Sequence, residues 1–289
     1  MTQTILTASR IGSPVIAAAS IGHGPFRADT DRLAVSNRQI HEAMLAERGI
    51  PFDESGLARS TGWGYDLAYE TLLSRLGEWP GVQPRLLVGG HAIPDRTIDD
   101  APAVRMLGLV PTLESTFSVA DGENLVGFHA LEAGAALAPE LGVECVAVVL
   151  ADRGDLGYAT GESEPTGNHG VLLLIQGLGD PAGGAVRPAF RFGLTDPVRL
   201  EEAATALLAD LTATGPAPDG VVIDPELAGR WLPSVPWGDI TVGPTGFPAT
   251  SVFQAALRHP AGTDLVVMGF HAGLGQLAAL RFSVPELLS

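Results

Sequence analysis

Along the chain, uninterrupted apolar runs alternate with segments whose apolar residues recur every three or four positions. The runs are Pro14–Ser20, Arg85–Gly89, Glu144–Ala151, Gly170–Gln176, Gly220–Ile223, Asp264–Gly269 and Leu277–Phe282. Most are apolar at every position instead of alternating, which is how strands buried on both faces read. Helical spacing lies between them. In Pro197–Thr212, Leu200, Ala204, Leu207, Leu208 and Leu211 share one face. Asp196-Pro197 before them offers an N-cap followed by proline at the first helical position. A second helix is expected at about Glu123–Ala138, with further candidates at Leu57–Leu76 and Arg38–Ala46. Strands alternating with helices predict parallel-type α/β layers. The order of elements is roughly doubled, with a first part to about residue 178 and a second from 179 to 289, although no sequence repeat joins them.

Composition narrows the function classes. Hydrophobic residues make up 46% of the 289 positions and charged residues 17%, so material for a large core is ample. The 36 glycines and 22 prolines are dispersed, which suits short elements joined by tight turns. A net charge of −16 argues against nucleic acid and anionic membrane surfaces as partners, since both require clustered Lys and Arg. The longest apolar runs fall far short of a membrane span of about 20 residues. The first residues, MTQTILTASRIGSP, lack the pattern of a secretory signal, and the expectation is a cytoplasmic protein. The single cysteine, Cys145, sits inside an apolar run and reads as buried filler.

The chemistry-bearing segment is TFSVADGENLVGFHALEA, Thr116–Ala133, a strand turning through Asp121-Gly122 into a helix that begins near Glu123. A nucleophile at such a helix start gains from the dipole and from unpaired amides. Here the turn carries Asp121, Glu123 and Asn124, which also serve as caps of an ordinary helix. No His and carboxylate spacing suggests a metal, and Gly269, Gly273 and Gly275 near the C-terminus lack the following βαβ unit that a nucleotide site needs. Neither a metal nor a cofactor is expected. Seven histidines are present; His129, on the helix after Glu123, is the one nearest the turn.

This segment resembles the active-site strand, turn and helix of beta-ketoacyl-acyl carrier protein synthase III, of the form Phe-Asp-Val, then Cys-x-Gly, then Ala-Leu-x-x-Ala. Upstream, PRLLVGGHAIPDRTIDDAPAVRMLGLVP is similar to that family's strand, Thr-x-x-Pro-Asp turn and helix. Downstream, TGNHGVLLLIQ (Thr166–Gln176) is similar to its Gly-Asp-Gly-Ala strand pair, and MGFHAGLGQLAALRF (Met268–Phe282) to its closing hairpin and last strand. The resemblance implies an α/β, thiolase-like fold of two similar βαβαβαββ halves, 1–178 and 179–289, in αβαβα layers.

It also implies where chemistry is missing. The family's cysteine falls at Glu123 or Asn124, its histidine at Asp224, and the Asn of its Gly-Asn-Thr at Pro244. Neither Glu123 nor Asn124 supplies a thiolate, and Asp224 and Pro244 supply no neutral donor for an enolate. The resemblance therefore implies a non-catalytic, pseudo-ketosynthase subunit. It would pair with an active synthase III-like protein, shape its acyl pocket, and act in bacterial secondary metabolism. It is similar in kind to the cysteine-less subunit of the heterodimeric alkylquinolone condensing enzyme. The alternative is a homodimeric acyltransferase or thioester hydrolase using Glu123, Asp224 or His129, with the two carboxylates facing one cavity at separated pKa values.

Overall fold

A strand covered on both faces sends successive side chains into two different cores, which is why its sequence stays apolar throughout. The computed structural model shows this directly. It describes residues 15–22, 65–78, 83–92, 102–120, 123–153, 168–176, 191–194, 199–213, 216–233 and 238–285, together with Gly81 and five helical positions between 39 and 47. In the strand β4 (Cys145–Asp152), Val146, Val148 and Leu150 enter one cluster, while Ala147, Val149 and Ala151 enter another. β9 (Asp264–His271) divides in the same way, with Leu265 and Val267 on one side and Val266, Met268 and Phe270 on the other.

Two five-stranded sheets result. The first runs β1-β5-β4-β2-β3, adding β1 (Val15–Gly22), β2 (Leu86–His91), β3 (Ser115–Ala120) and β5 (His169–Gln176) to β4. The second runs β6-β10-β9-β7-β8, with β6 (Arg191–Leu194), β7 (Gly220–Ile223), β8 (Asp239–Val242) and β10 (Gln276–Ser283). The two orders are the same, strand for strand. Both sheets are mixed, which corrects the expectation of parallel layers. β2 pairs parallel with β3 and β4, and β7 with β8 and β9, while β5 and β10 run antiparallel to both of their neighbours. The antiparallel β9–β10 step is closed by a tight turn in which Gly275 takes φ 62° and its N–H donates to the Ala272 carbonyl at 3.2 Å.

Helices fill three layers around these sheets. The outer face of the first sheet is covered by α1 (Tyr65–Ser74) and α2 (Pro102–Leu109). α4 (Leu200–Thr212) and the short α5 (Pro225–Ala228) cover the outer face of the second. Between the sheets lie α3 (Val126–Glu140) and α6 (Ser251–Ala256), whose Phe128 and Phe253 rings meet at 5.5 Å. Their shared core joins Val88, Val148 and Leu173 of one sheet to Val222, Val267 and Leu280 of the other.

Every apolar run named in the sequence forms a strand. The helix expected from Glu123 opens as a 3₁₀ turn over Glu123–Leu125 and becomes α-helical only at Val126. Leu57–Leu76 contracts to α1 within the described residues, followed by a 3₁₀ turn at Arg75–Glu78. Of the Arg38–Ala46 candidate, positions 39, 42, 43 and 46 are helical. The Asp196-Pro197 cap lies outside the described residues, and α4 starts at Leu200 with no side-chain cap on Arg199. β6 and β8 escaped sequence reading because each is a four-residue edge strand. Along β8 three of the four residues are exposed, so no apolar run marks it.

Packing in the middle layer is tight enough to require glycine. A Cβ added at Gly127 would lie 2.5 Å from Phe253 and 3.0 Å from the Ala249 carbonyl oxygen. Gly127→Ala is therefore expected to destabilise the protein by about 1–3 kcal/mol. Urea unfolding of the variant against wild type measures this. A change within error would show that the two inner helices can move apart at little cost.

Candidate functional site

At the carboxyl ends of β3, β7 and β9 the two inner helix starts and α5 surround a cavity of about 550 Å³. Asn124 enters it from the 3₁₀ turn. Pro225, Glu226 and Arg230 come from α5 and the residues just after it, and Pro244–Pro248 and Ser251 from the approach to α6. The Asn124 side-chain amide donates to Glu226 Oε2 at 3.0 Å and to the Phe270 carbonyl at 3.3 Å. Arg230 lies 3.6 Å from the Glu226 carboxylate and 5.8 Å above the Phe270 ring. The Ser251 hydroxyl donates to the Pro244 carbonyl at 2.8 Å. No cysteine or histidine is among the residues lining this cavity.

Two buried carboxylates fix its walls from behind. Asp224 is 1% exposed and caps α5. Its Oδ1 accepts from the Glu226 and Leu227 amides at 2.8 and 2.9 Å, and its Oδ2 from the Phe270 amide at 2.5 Å. Burial outweighs these donors and pushes the carboxyl up to about 7. Asp152, at the end of β4, accepts from the Ala249 and Thr250 amides, each at 2.8 Å, and from the Thr250 hydroxyl at 2.5 Å. That hydroxyl accepts in turn from the Gln254 side chain at 2.7 Å. Desolvation raises Asp152 to about 6. A residue of the first sheet thus holds the cavity wall that belongs to the second.

Of the sequence candidates, Asn124 and Pro244 line the cavity. The side chain of Glu123 lies outside the described residues. Asp224 does not line the cavity, so it does not share it with Glu123 as expected, because three otherwise unpaired amides claim its carboxylate. The carboxylate in the cavity is Glu226, two residues on, a position that sequence reading missed. The signal was present: Asp224-Pro225 is itself an N-cap followed by proline at the first helical position. A capping Asp faces its own helix backbone and leaves the following turn to line the cavity. His129 is half-buried on α3 and does not line the cavity. Burial lowers its pKa, with the nearby His271 adding to the effect. Cys145 is buried at the start of β4, opposite Gln176, and its thiol is pushed up to about 11, far from a reactive thiolate. Among the described residues no group of three His, Cys, Asp or Glu could hold a metal ion, and no helix is long and apolar enough to cross a membrane.

Two identically ordered mixed sheets, with helices outside and between them, define a thiolase-like fold. Solved structures bear this out. 3-Oxoacyl-(acyl carrier protein) synthase III from Pseudomonas aeruginosa superimposes with a TM-score of 0.54 at 14% identity, covering 95% of this chain and 99% of that one. The beta-ketoacyl-(acyl carrier protein) synthase III of Thermus thermophilus gives 0.56 at 15% identity, covering 93% and 98%. OleA of Xanthomonas campestris gives 0.51 at 14% identity, covering 92% and 97%. At these identities the likeness is one of fold. No protein-family model matches the sequence, and no curated protein does.

The Asp224 environment predicts a pH dependence. A folded-state pKa near 7, above the free value of 3.8, means the carboxyl holds its proton more tightly in the fold. The stability this confers is complete below 3.8 and is lost as pH rises through about 7. Between pH about 5 and about 7.5 wild type should lose roughly 2 kcal/mol more unfolding free energy than Asp224→Asn. Parallel urea titrations of the two proteins at both pH values check this, and equal losses would refute it.

Proposed function

We propose that this chain is a non-catalytic subunit that pairs with an active synthase III-like condensing enzyme and shapes its acyl pocket. The observation that carries this reading is the chemistry of the cavity. Condensation on an acyl thioester needs a thiolate to accept the acyl group and neutral donors to stabilise the enolate oxygen. The cavity offers Asn124, whose amide is committed to Glu226 and the Phe270 carbonyl, and two prolines, Pro225 and Pro244, which lack an N–H. The Glu226 carboxylate beside Asn124 is itself paired with Arg230 at 3.6 Å. The lone thiol is in the core.

The fold supports a pairing role, since it is kept over the length of this chain while no cysteine lines the cavity among the described residues. Glycine- and alanine-rich composition is in keeping with bacterial secondary metabolism, and the absence of a spanning helix among the described residues is in keeping with a cytoplasmic site of action. The acidic chain should repel acidic carrier proteins, leaving their docking to the partner.

Co-expression with candidate synthase III-like proteins, followed by affinity purification and mass measurement, tests the reading. A stable complex of equal stoichiometry is expected. Its release of thiol from acyl thioesters should depend on the partner's cysteine and be unchanged by Cys145→Ala in this chain. A homodimer that turns over acyl thioesters alone, and loses at least about tenfold of that rate on Glu226→Gln, would make it an enzyme in its own right and overturn the proposal.

A further inference from the structure

Glu226 and Arg230 stand four residues apart, the spacing at which side chains of one helical turn reach each other. They meet on the wall of the cavity, and they meet loosely. The guanidinium comes no nearer to the carboxylate than 3.6 Å, longer than a hydrogen bond, and Arg230 makes no side-chain hydrogen bond among the described residues. Other pairs in the chain close fully: Arg85 reaches Glu114 at 2.8 and 2.5 Å, Arg105 reaches Asp66 at 2.7 Å, and Arg199 reaches Glu202 at 2.9 and 2.6 Å. Each member of the loose pair is nevertheless held from another side. Asn124 occupies Glu226 Oε2 at 3.0 Å, and Arg230 lies over the Phe270 ring at 5.8 Å. Two opposite charges are thus fixed at the cavity while Glu226 Oε1 and the guanidinium fork accept and donate no hydrogen bond.

Charge decides what this arrangement accepts. Glu226 and Arg230 are the charged residues lining the cavity, so its formal charge is balanced. An anion drawn to Arg230 would meet the Glu226 carboxylate a few ångströms away, and a cation drawn to Glu226 would meet the guanidinium. A molecule carrying an ammonium and a carboxylate side by side meets neither penalty, because each of its charges takes the opposite member of the pair. Ser251 adds to the ammonium end. Its hydroxyl proton goes to the Pro244 carbonyl at 2.8 Å, which leaves the oxygen free to accept. The rest of the wall is apolar, with Phe247, Pro225, Pro244 and Pro248, and its volume of about 550 Å³ leaves room for a side chain beyond the charged groups.

We propose that the cavity binds a free α-amino acid with an apolar side chain, its ammonium on Glu226 Oε1 and its carboxylate on the Arg230 guanidinium. Such charge-assisted hydrogen bonds are stronger than neutral ones, and both protein groups are already oriented to make them. The proposal stands on the cavity alone and is independent of the pairing reading above.

Calorimetric titration of the full chain with L-phenylalanine, its methyl ester and its N-acetyl derivative tests this, since the ester keeps only the ammonium and the acetyl derivative only the carboxylate. L-Phenylalanine should bind one per chain, at least about tenfold tighter than either derivative. Glu226→Gln should weaken the amino acid by at least about tenfold while tightening the N-acetyl derivative, and Arg230→Gln should weaken it while tightening the ester. A variant that had failed to fold would gain affinity for neither. Three outcomes overturn the proposal: no saturation by L-phenylalanine, L-leucine or L-valine up to about 10 mM, equal affinity for the amino acid and both derivatives, or variants that shift all three ligands in the same direction. A chain that binds the amino acid but captures no synthase-like partner keeps this inference and loses the pairing reading; a chain that pairs but binds no amino acid does the reverse.

Discussion

The structure depends on one constraint: two helices must fit between two sheets that each bury both faces. Gly127 lies against Phe253 and Ala249, and Gly269 of β9 lies so close to α3 that a Cβ there would stand 2.7 Å from Phe128. These approaches leave no room for larger residues, and interiors packed to this density transmit displacement instead of absorbing it. The helix starts at Asn124 and Thr250 are therefore fixed relative to both sheets, and the cavity between them takes its shape from that fit.

Polar groups complete the arrangement where apolar packing ends. At the carboxyl ends of the strands, backbone amides of one half face carboxylates of either half: Asp152 takes those of Ala249 and Thr250, and Asp224 those of Glu226, Leu227 and Phe270. Each carboxylate is desolvated strongly enough to raise its pKa, so the ionised form persists there only because several donors converge on it. A residue spent in this way is unavailable for proton transfer in the cavity. That distinction separates Asp224, which holds the wall, from Glu226, which lines it.

The same logic bears on the reading as a partner subunit. A thiolase-like fold keeps its middle layer and its cavity walls through packing and capping interactions that need no nucleophile. A chain carrying Asn124 and Pro244 at the cavity can therefore remain folded.

Much of this was legible in the sequence. Doubly buried strands give continuous apolar runs, so Glu144–Ala151, Gly170–Gln176 and Asp264–Gly269 announced themselves, and one-sided spacing disclosed the helix within Pro197–Thr212. Order along the chain was enough for the resemblance to a synthase III fold. Edge strands β6 and β8 stayed hidden, because a short strand with an exposed side carries no periodic signal. The mixed direction of the sheets was equally invisible, since a strand's own residues do not record which way its neighbours run. At the cavity, sequence placed Asn124 and Pro244 but gave Asp224 the role that belongs to Glu226. Which of two nearby carboxylates faces a cavity depends on which backbone amides lie within reach of the other. The amide of Phe270, forty-six residues beyond Asp224, reaches it only after β9 has paired beside β7. Local pattern determined the elements; contacts between distant segments decided what each polar side chain could do.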